Sequence, residues 1–169
     1  MGVGIGGGIC RWAGVKDFLT KEKGMNTEYD NNNIFAKILK NELPCIKVYE
    51  DEYTLAFMDI MPQMAGHTLI IPKESAVTIY DLTDEAALAC MRTVKLIASA
   101  IEKAVGFDGS TVFQHNGAKA GQTVPHFHFH VLPGSIFDAS SIKGHALELA
   151  NPDDLKMMAS KIISCIEYV

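Results

Sequence analysis

The sequence predicts an α+β fold: an antiparallel sheet of about five strands, laid out as a meander, with a long helix and a C-terminal helix, all the helices lying on one face. Three observations carry that reading. Short runs rich in β-branched and aromatic residues alternate with turn residues. One long stretch keeps apolar side chains three and four apart. The links between the first three β-rich runs are short, which suits antiparallel rather than parallel pairing.

The elements follow in order. From Asn33, the residues Ile34, Phe35, Ile38 and Leu39 recur at helical spacing, and Pro44 closes the segment. "IKVYED" (46–51) and "TLAFMDI" (54–60) are two strands separated by acidic turn residues, and "HTLIIPK" (67–73) is a third, after the turn-like "MPQMAG". Thr83 is placed to cap a helix whose first turn carries Asp84 and Glu85. Leu88, Met91, Val94, Ala98, Ile101 and Val105 give that helix an apolar stripe, and Gly106 suits its end. "STVFQH" (110–115) and "HFHFHVLP" (126–133) complete the strands. Asn151-Pro152 opens a last helix bearing Leu155, Met158, Ile162 and Ile166.

The 169 residues suit one domain, read as 25–169, with 1–24 as a loose glycine-rich extension that a chain beginning at Met25 can lose. Gly2, Gly4 and Gly7 match a dinucleotide-binding spacing, but no strand precedes them. Twenty acidic against fifteen basic residues give a net charge of −5 with no basic stripe, which argues against nucleic acid as a partner. No apolar run approaches the length of a membrane span, so no membrane association is expected. Cys10, Cys45, Cys90 and Cys165 are scattered, and the N-terminus lacks the plan of a signal peptide. Free thiols and a cytoplasmic location are expected.

The chemistry concentrates in "NGAKAGQTVPHFHFHVLPG" (116–134). Alternation along a strand sends His126, His128 and His130 to one side and Phe127, Phe129 and Val131 to the other. Three histidines on a packed face are odd, because each ring has two nitrogens to satisfy. A solvated strand face is one reading, and a metal held by two of the histidines with a distant group is another. A third is phosphoryl or nucleotidyl chemistry, with one imidazole as nucleophile and its neighbours donating to developing charge. For this third reading, Gly117 and Gly121 let backbone amides converge on an anion, and Gln122 and Thr123 add donors.

His-x-His-x-His after Asn-Gly and Gly-Gln-Thr resembles the histidine triad (HIT) superfamily. "NIFAKILKNELPCIKVYEDEYTLAFMDIMPQMAGHTLIIPK" (33–73) is similar to the HINT-like, protein kinase C-interacting bacterial branch. The resemblance covers about residues 33 to 134. It implies a HIT-like homodimer whose sheets join, acting on purine nucleotides at the α-phosphate, with no cofactor. By matching position, it makes His128 the nucleophile, with His126 and His130 holding the phosphoryl group and orienting it. It makes His67 the family's fourth histidine. It assigns Asn116, Gln122 and Thr123 to phosphate and leaving-group contacts, and Asp59 to the ribose hydroxyls. Ile34, Phe35, Ile38, Phe57 and Ile60 match the apolar slot for the base. The bland alternatives are that these five are ordinary core, that Asp59 caps a turn before Pro62, and that His67 is structural.

The chain also departs from its relatives. Where some bacterial members hold a structural zinc, it has Asn33, Ala36 and Ser75, so no metal is expected. Where the eukaryotic pattern has a tryptophan near the C-terminus, it has none; its single tryptophan is Trp12. The activity implied most directly is a nucleoside phosphoramidate hydrolase. The alternatives are a dinucleoside polyphosphate hydrolase and a nucleotide-binding interaction module with little turnover.

Overall fold

The computed structural model describes residues 28–137 and 149–167. The proposed extension therefore lies outside the described residues. Helix α1 (Ile34–Leu39) starts where the Asn33 side chain accepts from the amides of Phe35 and Ala36. Strands β1 (Lys47–Glu50), β2 (Thr54–Met58) and β3 (Thr68–Pro72) form the expected antiparallel meander. Helix α2 (Asp84–Val105) is capped by the Thr83 hydroxyl and ends at Gly106, whose φ of 71° is left-handed and suits glycine. Strands β4 (Ser110–Gln114) and β5 (Phe129–Pro133) follow, joined by a loop with a single 3₁₀ turn at Ala118–Ala120. Helix α3 (Pro152–Ser164) begins at Asn151 with proline in its first turn. No helix among the described residues is long and apolar enough to cross a membrane.

The sheet order is β1-β2-β3-β5-β4, so the meander does not continue through the last two strands. β5 pairs with β3 as well as β4, and β4 takes the edge. Burial explains the order: Val131, Leu132 and Pro133 are buried and need cover on both sides, whereas no residue of β4 is fully buried.

The helices also divide between two faces rather than sharing one. α2 and α3 cover Ala56, Met58, Ile70 and Val131 with Val94, Ile97, Ile101, Leu155 and Ile162. α1 covers the opposite face, where Phe35 and Ile38 pack on Leu55, Phe57, Leu69 and Ile71. The apolar stripe of α2 also differs from the sequence reading. Its buried face runs through Ala86, Cys90, Val94, Ile97 and Ile101, while Leu88 and Met91 are 61% and 46% exposed. Small residues such as Ala86, Ala89 and Ala100 let the helix approach the sheet closely, and a stripe counted from large side chains alone passes over them. Cys45, Cys90 and Cys165 are free thiols, and burial pushes Cys90 up to about 12.

Candidate active site

The site follows from the two-residue period of the sheet. In the ladder Leu69 faces His130 and Phe113 faces His130 from the other side, so these side chains share one face. From this row, one direction along the strands leads from Phe57 to Asp59 and from Leu69 back to His67, and the other leads from His130 back to His128 and His126. α1 packs on this face beside the histidines, with Phe35 against His126 and His128.

The strand carrying them is shorter than its sequence suggests. β5 begins at Phe129, because β4 ends at Gln114 and offers no further ladder partner. The preceding residues bend at 124–126 and are held by other bonds. The His126 amide donates to the Val124 carbonyl at 2.9 Å and the Phe127 amide to the Ala76 carbonyl at 2.8 Å. Alternation survives: Phe127 packs with Ala76 and Cys90 on the core side, while His126, His128 and His130 gather around Phe35 and one another.

Each imidazole has a distinct set of partners, from which its protonated nitrogen can be assigned. His128 Nδ1 lies 2.7 Å from the His126 carbonyl, which can only accept, so Nδ1 carries the proton and Nε2 keeps its lone pair. His126 Nε2 likewise donates to the Pro72 carbonyl at 3.0 Å. Its Nδ1 accepts from the Tyr29 hydroxyl at 2.5 Å. Burial is the main cause that lowers the His126 pKa to about 4; the Pro72 carbonyl opposes it and His128 adds to it. His130 stacks on Phe113, with centroids 4.4 Å apart and planes 5° apart, and its Nδ1 is 2.9 Å from His67 Nε2. The Gln63 amide donates to His67 Nδ1 at 3.3 Å, so the His67 proton sits on Nε2 and passes to His130 Nδ1 as a hydrogen bond. His130 then carries its own proton on Nε2.

Asp59 Oδ2 lies 3.4 Å from His67 Nδ1, so the carboxylate favours positive charge on that ring. Its Oδ1 accepts from the Met61 amide, the turn-capping bond that the sequence left open. Asp59, His67 and His130 are the group among the described residues whose donor atoms, within 4.8 Å of one another, could share a metal. The bond between His67 and His130 turns two of those nitrogens toward each other, and Asp59 stands behind His67. The positions matching the relatives' zinc ligands do not fit that metal. Asn33 caps α1, Ala36 is buried in packing and Ser75 is exposed, with no thiolate or imidazole among them.

The other expected site residues divide. Phe35 meets His128 edge-on at 5.1 Å, joining the apolar patch to the histidines. Ile34 and Ile60 are 45% and 52% exposed, whereas Ile38 and Phe57 belong to the buried cluster under α1. Thr123 is exposed at the rim. Gln122 is buried, and its amide is already committed: Nε2 donates to the Val77 and Val124 carbonyls, and Oε1 accepts from the Gly117 amide. It braces the loop rather than reaching into the site. Asn116 is not brought into the cluster either; it bonds the Gln114 side chain and accepts from the Ile79 amide.

Sequence reading missed two residues. Tyr29 lies outside any periodic element, and nothing local marks it as a partner of His126. His115 was visible in principle, since it shares the alternation of Phe113. Its half-buried ring lies 5.3 Å from Phe113 and 6.0 Å from His130.

A histidine row anchored through a backbone carbonyl, beside a glycine-bearing loop, is the geometry expected of the triad family. The HIT domain family matches residues 40–136. The chain belongs to the HIT family. It is 42% identical to protein hit of Bacillus subtilis over 78% of this chain and 92% of that one. It is 37% identical to the adenosine 5'-monophosphoramidase hnt1 of Schizosaccharomyces pombe over 79% of this chain and 98% of that one. Among solved structures, a Hit-like protein involved in cell-cycle regulation from Bartonella henselae superposes with a TM-score of 0.72 at 44% identity, covering 82% of this HIT chain and 99% of that one.

Proposed function

We propose that this HIT protein hydrolyses purine nucleoside 5'-phosphoramidates, with His128 attacking the α-phosphorus to form a nucleotidyl-histidine that water then cleaves. The observation that carries the reading is the bond from His128 Nδ1 to the His126 carbonyl, which puts the proton on Nδ1 and leaves the lone pair on Nε2, as a nucleophile requires. His130 presents an N–H two residues away, with its ring 4.9 Å from that of His128, to hold the non-bridging oxygens as charge builds. Asp59 and His67 stand behind it and favour positive charge there. Exposed Ile34 and Ile60, together with Phe35 beside His128, offer the base an apolar slot, and exposed Thr123 is assigned to the leaving group. The monophosphoramidase activity in the name of the fission-yeast relative supports this substrate class.

The working unit in this proposal is a homodimer in the cytoplasm. Exposed Leu88 and Met91 on α2 and Val112 on edge strand β4 are apolar surface and unpaired edge that a second chain can cover. Sedimentation at micromolar concentration is expected to give the mass of two chains, and the mass of one refutes the dimer.

Turnover of a fluorogenic adenosine 5'-phosphoramidate tests the activity. The wild type is expected to hydrolyse it faster than a diadenosine polyphosphate. The reverse preference identifies a dinucleoside polyphosphate hydrolase, and nucleotide binding without turnover identifies a binding module.

A further inference from the structure

The ladder between β4 and β5 runs Val112↔Val131, Phe113↔His130, Gln114↔Phe129 and then stops. One more step in the same register sets His115 opposite His128. The strands instead part at this point, and the loop that leaves β4 turns back through Gly117 and Gly121. The His115 ring is held in place at that opening. It contacts Phe113, lies 6.0 Å from His130, and rests against Gly121, where an added Cβ would stand 3.6 Å from its Cε1 and Nδ1. Gly121 has a φ of 97°, so the loop reaches this approach in a conformation that favours glycine.

We infer that His115 is a further catalytic residue, the proton donor to the leaving group; the inference rests on the hydrolase reading above. An in-line displacement puts nucleophile and leaving group on opposite sides of phosphorus. With approach distances of about 3 Å on either side, nucleophile and proton donor stand about 7–8 Å apart. A gap between parted strands, with His128 on one and His115 on the other, is the arrangement this requires. His126 is excluded from the role because both its nitrogens are bonded within the protein, and Gln122 because its amide is committed to the loop.

The proton balance is complete without another reactant. As His128 Nε2 bonds to phosphorus and the P–N bond of the substrate breaks, His115, entering the step as imidazolium, gives a ring proton to the departing nitrogen, which leaves as a neutral amine, and His115 is left as neutral imidazole. In the second step water bonds to phosphorus and the P–Nε2 bond breaks. The proton of the water returns to His115, releasing the nucleoside monophosphate. Imidazole suits both halves because one ring can give a proton in the first step and take one back in the second.

The test compares two leaving groups on one nucleotide: an alkylamine phosphoramidate of AMP, which needs a proton to leave, and the p-nitrophenyl ester of AMP, which does not. In H115Q and H115A, with melting temperatures confirming the fold, kcat on the alkylamine substrate is expected to fall by about 10²–10³. The fall on the p-nitrophenyl ester is expected to be smaller by about tenfold or more, since general-acid help matters least there. Falls that match to within about tenfold on the two substrates, or no fall on either, overturn the role of His115. A wild type inactive on both substrates overturns the hydrolase reading itself, and this inference with it.

Discussion

His126 and His130 stand two residues either side of His128, both with no exposed ring surface. They are nonetheless built for different work. Both nitrogens of His126 are committed within the protein, one to Tyr29 and one to the Pro72 carbonyl, and burial keeps the ring neutral. Its contribution to chemistry passes through its backbone carbonyl, which anchors His128. His130 is backed by His67 and Asp59, a chain ending in a carboxylate that favours positive charge. The difference teaches that membership of the triad does not set a histidine's role. In the proposed reading the role is set by what lies behind the ring: a carbonyl and a phenol make His126 a strut, whereas an imidazole and a carboxylate make His130 a donor for developing charge.

The largest effect that sharpens this contrast is on turnover. His130→Ala removes a donor to the transition state and is expected to lower kcat by about 10²–10³. His126→Ala leaves the backbone carbonyl in place, so its main expected effect is a lower melting temperature, with a smaller loss of kcat in the folded fraction. Equal losses of kcat at equal stability would erase the distinction. Asp59→Asn belongs with His130 in this account: kcat falls and KM stays. A rise in KM alone would return Asp59 to the ribose.

The next effect is on stability against pH. His126 titrates near 4 in the native protein, against an ordinary value near 6.5. Between these values the unfolded chain binds a proton that the buried ring refuses, so stability falls as pH is lowered through that window. The full loss is up to about 3 kcal/mol, reached near pH 4. Melting curves from pH 7 to pH 4 are expected to fall more steeply for the wild type than for His126→Gln, and parallel slopes contradict the buried neutral ring.

A smaller effect tests the strut from its other end. Tyr29→Phe removes the donor to His126 Nδ1 and leaves a buried acceptor without it. The expected destabilisation is about 1–2 kcal/mol, with kcat lowered only in proportion to any displacement of His128. A variant with unchanged melting temperature shows that Tyr29 does not brace the ring.

The histidine row was legible in the sequence, because of the period of a strand, whereas the contrast between His126 and His130 was not. Alternating histidines and apolar residues placed His126, His128 and His130 together even where the ladder has ended. The same period, extended from Phe113, reaches His115, whereas matching by motif led to Asn116, whose side chain serves Ile79 and Gln114 instead. Gln122 shows the other limit. A glutamine beside a glycine-rich loop reads as a ligand contact, and only the positions of the Val77 and Val124 carbonyls reveal that it holds the loop. Tyr29 meets His126 across 97 residues of sequence, a separation that no local pattern encodes. The order of the last two strands was hidden for a similar reason, since the burial that puts β5 inside β4 depends on both faces of the finished sheet.

The central claim is that His128, held by the His126 carbonyl, is the atom that bonds to phosphorus. Rapid acid-free quenching during turnover of an adenosine phosphoramidate, followed by peptide mapping, tests it most directly. The account expects an adenylyl group on the peptide containing His128, linked through an acid-labile bond, forming within the first turnover and absent from His128→Ala, whose kcat falls by several orders of magnitude while AMP still binds. Label on another residue, or turnover in His128→Ala within about tenfold of the wild type, contradicts it.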